Sequence, residues 1–199
     1  MKKYLKIFSS LLISILLSSA VAFGNTEIIR PTGDSSVACA RSTGATNYSC
    51  VDEAVTDDAD YVDGSSGSDA WVLDLYTLAN HSTGSGTINS VSVYGRCREN
   101  DIPAQDWVKF ALSIGGTTYY STVVNITPSF DQYSRTWNTN PNTTAAWGSD
   151  WAVIDDLIAG VSLYDYKDSA WGFCSQLWVV IDYTPAAAGG NVHHKIIIF

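Results

Sequence analysis

From residue 25 onward, apolar and polar side chains alternate with a period of two rather than 3.6. That is the spacing of strands that bury one face and show the other to water. In one run Trp71, Leu73 and Leu75 share a face. In a second, Val91, Val93, Gly95 and Cys97 oppose Ile88, Ser90, Ser92 and Tyr94. Val108, Phe110, Leu112 and Ile114 alternate with Trp107, Lys109, Ala111 and Ser113, and Leu177, Val179, Ile181 and Tyr183 alternate with Gln176, Trp178, Val180 and Asp182. Clusters of Gly and Ser separate the runs at 64–68 and 84–86, as turns do. Gly115-Gly116 predicts a two-residue hairpin joining 108–114 to 117–124.

Helical spacing occurs once, over 150–160, where Trp151, Ile154, Leu157 and Ile158 recur three or four apart. Ser149 or Asp150 can cap its start and Gly160 its end. Many short strands with one accessory helix near 150–159 predict an all-β fold, an antiparallel β-sandwich of the jelly-roll type.

The order of features resembles a broad group of secreted and phage-associated jelly-roll domains. The residues carrying the resemblance are Ile29-Arg30-Pro31-Thr32-Gly33-Asp34, Val51-Asp52-Glu53, Asp57-Asp58-Ala59-Asp60-Tyr61-Val62, Trp137-Asn138-Thr139-Asn140-Pro141, Trp147, the stretch 154–161 and the closing Val179-Val180-Ile181-Asp182-Tyr183. The likeness spans 29–183. It implies a component of surface structures or a binding module rather than an enzyme.

The first 22 residues read as an address. Lys2, Lys3 and Lys6 precede an almost continuous apolar run at 7–17, and small residues follow, ending in Ala20-Val21-Ala22. This is the layout of a secretory signal peptide cleaved after Ala22, and the apolar run is too short to span a bilayer comfortably. The expected organisation is a leader at 1–22, a β-sandwich domain at 23–184, and a linker with a short apolar tail at 185–199. The localisation expected is extracellular or cell-surface.

Charge then narrows the partners. The chain carries 20 Asp plus Glu against 11 Lys plus Arg, a net charge of −9, and loss of the leader deepens this to −12. A phosphate backbone needs clustered bases, so nucleic acid is excluded, and anionic lipid is repelled. An aromatic share of 12% with 16% charged residues also excludes a typical disordered chain.

Export makes an even set of cysteines read as disulfides. Cys39 and Cys50 bracket a short polar loop, which makes a local bridge the simplest pairing. Cys97 and Cys174 lie on distant strand-like segments. A bond between them closes a loop of about 77 residues, worth ~4 kcal/mol in the chain-entropy picture. The cysteines have no CxxC spacing, which makes zinc a weak reading.

Eight carboxylates fall within 52–74: Asp52, Glu53, Asp57, Asp58, Asp60, Asp63, Asp69 and Asp74. Asp57, Asp58, Asp60 and Asp63 offer hard oxygens suited to calcium, although the spacing is not that of an EF-hand. The alternative is a solvated loop that keeps the protein soluble. Catalysis finds less support. His81 lies in a Ser/Thr/Gly loop, His193 and His194 lie in the tail, and no Gly-x-Ser-x-Gly elbow occurs. Asp155-Asp156 can be read as a glycosidase pair, but adjacent helical residues point about 100° apart, which makes a solvent-facing helix surface the simpler reading.

Aromatic residues are the remaining candidates, either as core filling or as flat faces for sugar rings. Trp178 falls opposite Leu177 and Val179 and is the ligand-contact candidate. Asn47, Asn80, Asn125 and Asn142 open N-x-S/T triplets. In the tail, Lys195 to Phe199 are too few to cross a membrane. They can dock on their own domain, add a strand to a neighbour, or precede an anchor. Two functions follow. One is a non-catalytic extracellular structural or adhesive module that self-associates. The other is a carbohydrate-binding module stabilised by calcium.

Overall fold

A computed structural model describes residues 24–65, 69–100, 107–166 and 170–187. The leader expected at 1–22, and the tail with His193 and His194, lie outside the described residues. The elements are β1 (Asn25–Ile29), β2 (Pro31–Ser36), β3 (Ala40–Arg41), β4 (Val62–Asp63), β5 (Ala70–Leu78), β6 (Gly86–Glu99), β7 (Trp107–Ile114), β8 (Thr117–Tyr120), β9 (Val124–Asn125), β10 (Asp131–Trp137), a short helix α1 (Ala152–Asp155), β11 (Ile158–Tyr166) and β12 (Ala170–Pro185).

Among the described residues all pairings are antiparallel, and they link 12 strands into one network. One wing runs β10-β6-β12, with β1 and the small β4–β3 pair on the far side of β12. The other runs β2-β5-β11-β7, with β8 and β9 along the outer edge of β7. The wings join where β11 pairs with the start of β12, at Asp165 and Trp171. The sheet curls as a half barrel, so both wings turn a face to one core.

The core-facing residues are those the period-two reading groups on β6, β7 and β12. Val91, Val93, Val108, Phe110, Leu112, Leu177, Val179 and Ile181 are wholly buried. The wings meet at Gly95, where an added Cβ would lie 2.7 Å from the Phe110 ring. The Gly115-Gly116 hairpin forms as expected, with both φ positive (58° and 81°) and Ile114 opposite Thr117. Both angles lie where glycine is favoured in tight hairpin turns. The following strand is not continuous through 124. It breaks after Tyr120, because Ser121 turns in and exchanges hydrogen bonds with the Phe110 backbone.

The phase expected of β5 is reversed. Val72, Asp74 and Tyr76 face the core, whereas on the other side of the strand Trp71 and Leu73 are half-buried and Leu75 alone is buried. The cause is Asp74, which is wholly buried with four donors around it. Oδ1 accepts from the backbone N–H of Ala38 (2.7 Å) and Cys39 (2.8 Å). Oδ2 accepts from the Asn47 side chain (2.7 Å) and the Tyr76 hydroxyl (2.9 Å). A carboxylate so surrounded is solvated by protein instead of water, and it pins the 37–47 segment against the core. Burial first, and Asp74 beside it, push the Tyr76 hydroxyl well above the usual tyrosine range. Asn47, spent on Asp74 and the Cys39 carbonyl and only 1% exposed, has no room for a glycan. Asn80, Asn125 and Asn142 are exposed.

The helix expected over 150–160 shrinks to four residues, and neither Ser149 nor Asp150 caps it; Trp151 occupies the cap position without a side-chain bond. From Ile158 the chain is β11, which is paired on both sides, with β5 and with β7. Two ladders satisfy its backbone while Ala159, Val161 and Leu163 enter the core, a gain that a short isolated helix cannot match. Among the described residues no helix is long and apolar enough to cross a membrane.

Candidate functional site

On the outer face of the second wing three aromatic rings form a row across adjacent strands. Tyr164 of β11 lies opposite Trp71 of β5. Trp107 comes from β7 on the other side of β11. The ring centroids are 5.2 Å apart for Trp71–Tyr164, at 55°, and 5.3 Å for Trp107–Tyr164, at 37°. All three are half-buried. Lys109 crosses from β7 and sets its ammonium 3.8 Å from the Trp71 centroid, a cation–π contact. Its stem passes over Ser162, which is its register partner on β11 and is buried. The row exists because the second wing has its buried face on Val72, Val108 and Leu163, which forces their sequence neighbours outward. Chemically it offers apolar ring faces beside one movable cation, suited to the C–H face and hydroxyls of a sugar.

Trp178 lies on the outer face of the first wing, and its surroundings differ. Tyr94, its partner on β6, stacks on it at 5.3 Å and 12°, and the Arg30 guanidinium sits 5.7 Å from its centroid. Tyr94 and Arg30 come from opposite sides of β12, so the indole is flanked on both sides and stands half-buried. Further along the same face Arg98 is held between Phe173 (3.9 Å) and Phe130 (5.0 Å). This face is a self-completed stack rather than an open platform.

The acidic segment does not gather into one site. Asp58 takes both arms of Arg96 (2.7 and 2.8 Å) and the Ser175 hydroxyl (3.0 Å), and the Arg96 contact holds its carboxyl below the usual range. Asp57 accepts from the Ala59 N–H, Asp60 from the Thr43 hydroxyl, and Asp63 from Ser65. No group of three or more His, Cys, Asp or Glu side chains among the described residues is placed to hold a metal ion. Calcium at Asp57, Asp58, Asp60 and Asp63 therefore has no ready-made cage.

Glu53 is the perturbed member of this segment. Burial is the main cause; its own backbone N–H pulls the other way, while Asp52, Asp60 and Asp57 add repulsion, and the carboxyl is pushed up to about 7. The folded chain thus holds this proton more tightly than the unfolded one. Stability should fall as pH rises from the ordinary glutamate range to about 7. Glu53→Gln should remove that part of the slope. Urea midpoints measured for both proteins between about pH 4 and pH 8 check this, and parallel curves would refute it.

Asp155 is not merely a solvated helix residue. It accepts from the His81 backbone N–H (2.9 Å) and pairs with the ring Nδ1 (2.7 Å), while the imidazole lies against Trp151 at 5.0 Å. These bonds to His81, the side-chain one first, hold the Asp155 carboxyl below its usual range. Next along the chain, the Glu27 carboxylate accepts the N–H groups of Ser82, Thr83 and Gly84 and the Ser82 hydroxyl. Burial raises its pKa, but those donors outweigh it and the net shift is downward. An acid does orient this histidine, yet among the described residues no hydroxyl or thiol hydrogen-bonds to its Nε2, and Ser82 is spent on Glu27. The pair fastens the loop that follows β5.

No family model matches the chain, and no curated protein matches it. The functional reading therefore rests on the sites alone. The sequence reading names Trp178 as the ligand-contact candidate and none of this row. Trp71 reads as core because Leu73 and Leu75 share its phase, and Trp107 reads as an isolated outward residue. The usable signal is that Asp74 and Tyr76 form a buried pair two apart, which reverses the face of β5.

The four cysteines are all buried thiols. Cys97 and Cys174 face one another as register partners on β6 and β12. Cys39 donates to the Val72 carbonyl and Cys50 to the Thr43 carbonyl, each within its own surroundings.

Proposed function

We propose that this chain is a non-catalytic, secreted adhesive module that binds glycan through the row Trp71–Tyr164–Trp107. The two wings act as the layers of a jelly-roll sandwich that keeps the row rigid. The observation that carries the reading is the convergence of three half-exposed rings from three neighbouring strands, with Lys109 beside them. Rings set on strands stay in place without ordering cost, which favours stacking on a ligand that has little apolar surface of its own. The signal-peptide pattern at 1–22 supports an extracellular setting.

The test is retention on soluble and insoluble polysaccharides by affinity electrophoresis and glycan array. Trp107→Ala and Tyr164→Ala should each weaken binding by about 30-fold, the ~2 kcal/mol of a central aromatic contact. Trp178→Ala should leave affinity unchanged, because its ring is already flanked by Tyr94 and Arg30. Retention on no glycan, or equal loss from the Trp178 variant, sinks the reading.

Self-association is the second reading. Among the described residues strand β1 pairs with β12 alone, and its Ile28 is 57% exposed. An open edge bearing an exposed apolar residue suits strand addition by another copy. Sedimentation that shows only monomer at high concentration would overturn it.

A further inference from the structure

The first wing holds one pair of free, buried thiols at directly opposed strand positions. Cys97 and Cys174 are directly opposed across the β6–β12 ladder. Opposed residues of an antiparallel pair have Cα atoms roughly 4.5–5.5 Å apart, inside the roughly 4.4–6.8 Å that a disulfide spans. Both are 0% exposed free thiols, and the Cys174 thiol donates to the Gln176 carbonyl (3.2 Å). Immediately after Cys174 the register slips, so that Gln176 pairs with Arg96 and Ser175 is the extra residue. Ser175 and Arg96 both bind Asp58, which fixes β6 and β12 against each other beside the thiols.

The other two cysteines have no such partner. The Cys39 thiol points to the Val72 carbonyl of β5 in the opposite wing, at 3.8 Å. The Cys50 thiol turns back into its own loop, 3.3 Å from the Thr43 carbonyl. Between them Asn47 holds the Cys39 carbonyl and Asp74. Proximity in sequence, the basis for expecting a Cys39–Cys50 bridge, is not matched by opposition in space.

We propose that Cys97 and Cys174 form the single disulfide of this protein, joining β6 to β12, and that Cys39 and Cys50 remain thiols. The oxidant is a small disulfide such as oxidised glutathione. The thiolate of one cysteine attacks a glutathione sulfur, breaks its S–S bond and releases one glutathione thiolate. The second cysteine's thiolate attacks the protein sulfur of the mixed disulfide and releases the other. Two cysteine thiols are oxidised, one glutathione disulfide is reduced, and the two protons end on the two glutathione thiols. Because both sulfurs are buried in the finished fold, the exchange takes place as β6 and β12 come together, and the bond is shielded from reductant afterwards.

The occurrence of the bond in nature rests on the secreted reading, since an oxidising compartment maintains it, whereas its geometry does not. The test is therefore made first in vitro. The full chain, reduced and unfolded, is refolded in a glutathione redox buffer, then denatured without reductant and treated with a maleimide. Two labels per chain on Cys39 and Cys50, and a proteolytic peptide joining Cys97 to Cys174, are expected. Four labels, no labels, or a peptide joining any other pair overturns the proposal. Cys39→Ser and Cys50→Ser should retain the cross-linked peptide. Cys97→Ala/Cys174→Ala should raise the unfolding equilibrium constant by roughly 10³-fold, as expected for a loop of this length. If that variant does not fold, the wild-type peptide map still decides. Export is scored separately: a chain that cross-links on refolding but is retained in the cytosol of its host overturns the secreted reading and leaves the bond standing.

Discussion

Asp74→Ala is expected to cost about 4 kcal/mol, enough to leave much of the population unfolded if the protein has ordinary domain stability of about 5–15 kcal/mol. The argument is one of orphaned donors. The substitution removes an acceptor that now satisfies the Ala38 and Cys39 N–H groups, the Asn47 amide and the Tyr76 hydroxyl. Each buried donor left without a partner costs about 1–3 kcal/mol, and water entering the vacated space recovers only part of the total. Asp74→Asn should cost less than the alanine change, because it keeps one acceptor oxygen while turning an N–H₂ towards existing donors. Urea unfolding followed by tryptophan fluorescence measures both. An Asp74→Ala midpoint close to wild type would mean that the carboxylate does not hold the 37–47 segment in place.

Gly160→Ala should be nearly as damaging, at about 3 kcal/mol or more, although it adds a single methyl group. Gly160 pairs with Leu75 between β5 and β7. A Cβ there would lie 1.9 Å from the Asp74 carbonyl oxygen and 2.9 Å from a Leu75 methyl. The first obstacle is backbone, so no side-chain rotation relieves it, and β11 would have to move away from the strand that carries Asp74. Gly116→Ala makes an informative comparison: nothing lies within 4 Å of its added Cβ, and only its positive φ of 81° opposes the change, a penalty of about 1 kcal/mol. Thermal and urea unfolding of the two variants should separate steric from conformational cost. A Gly160→Ala loss no larger than that of Gly116→Ala would contradict the close approach.

These two positions also mark where reading along the chain stops being sufficient. Gly160 reads as a helix terminator because Trp151, Ile154, Leu157 and Ile158 carry helical spacing. The same residues serve a four-residue turn followed by a central strand once β5 and β7 offer ladders on either side. Asp74 reads as one of eight acids in a solvated segment, yet it is the one that four donors enclose, three of them distant in the chain. Its burial decides the phase of β5, and through that phase Trp71 reaches the outer row with Tyr164 and Trp107. Trp178 shows the converse. Its outward placement follows from simple alternation with Leu177 and Val179, but the flanking of its ring by Tyr94 and Arg30 depends on which strands lie beside β12.

Period-two patterning along β6, β7 and β12, the Gly115-Gly116 turn and the excess of acid over base are set by residues and their near neighbours, so the chain alone was enough to establish an all-β protein with an acidic surface. Tertiary contact decided the rest: the inward face of β5, the length of the helix, the row of rings on the second wing, and the cysteines that oppose one another. Each of those depends on pairing between segments far apart in the chain, where hydrogen-bond satisfaction of a buried carboxylate, or a second ladder for β11, outweighs the local preference of a few side chains.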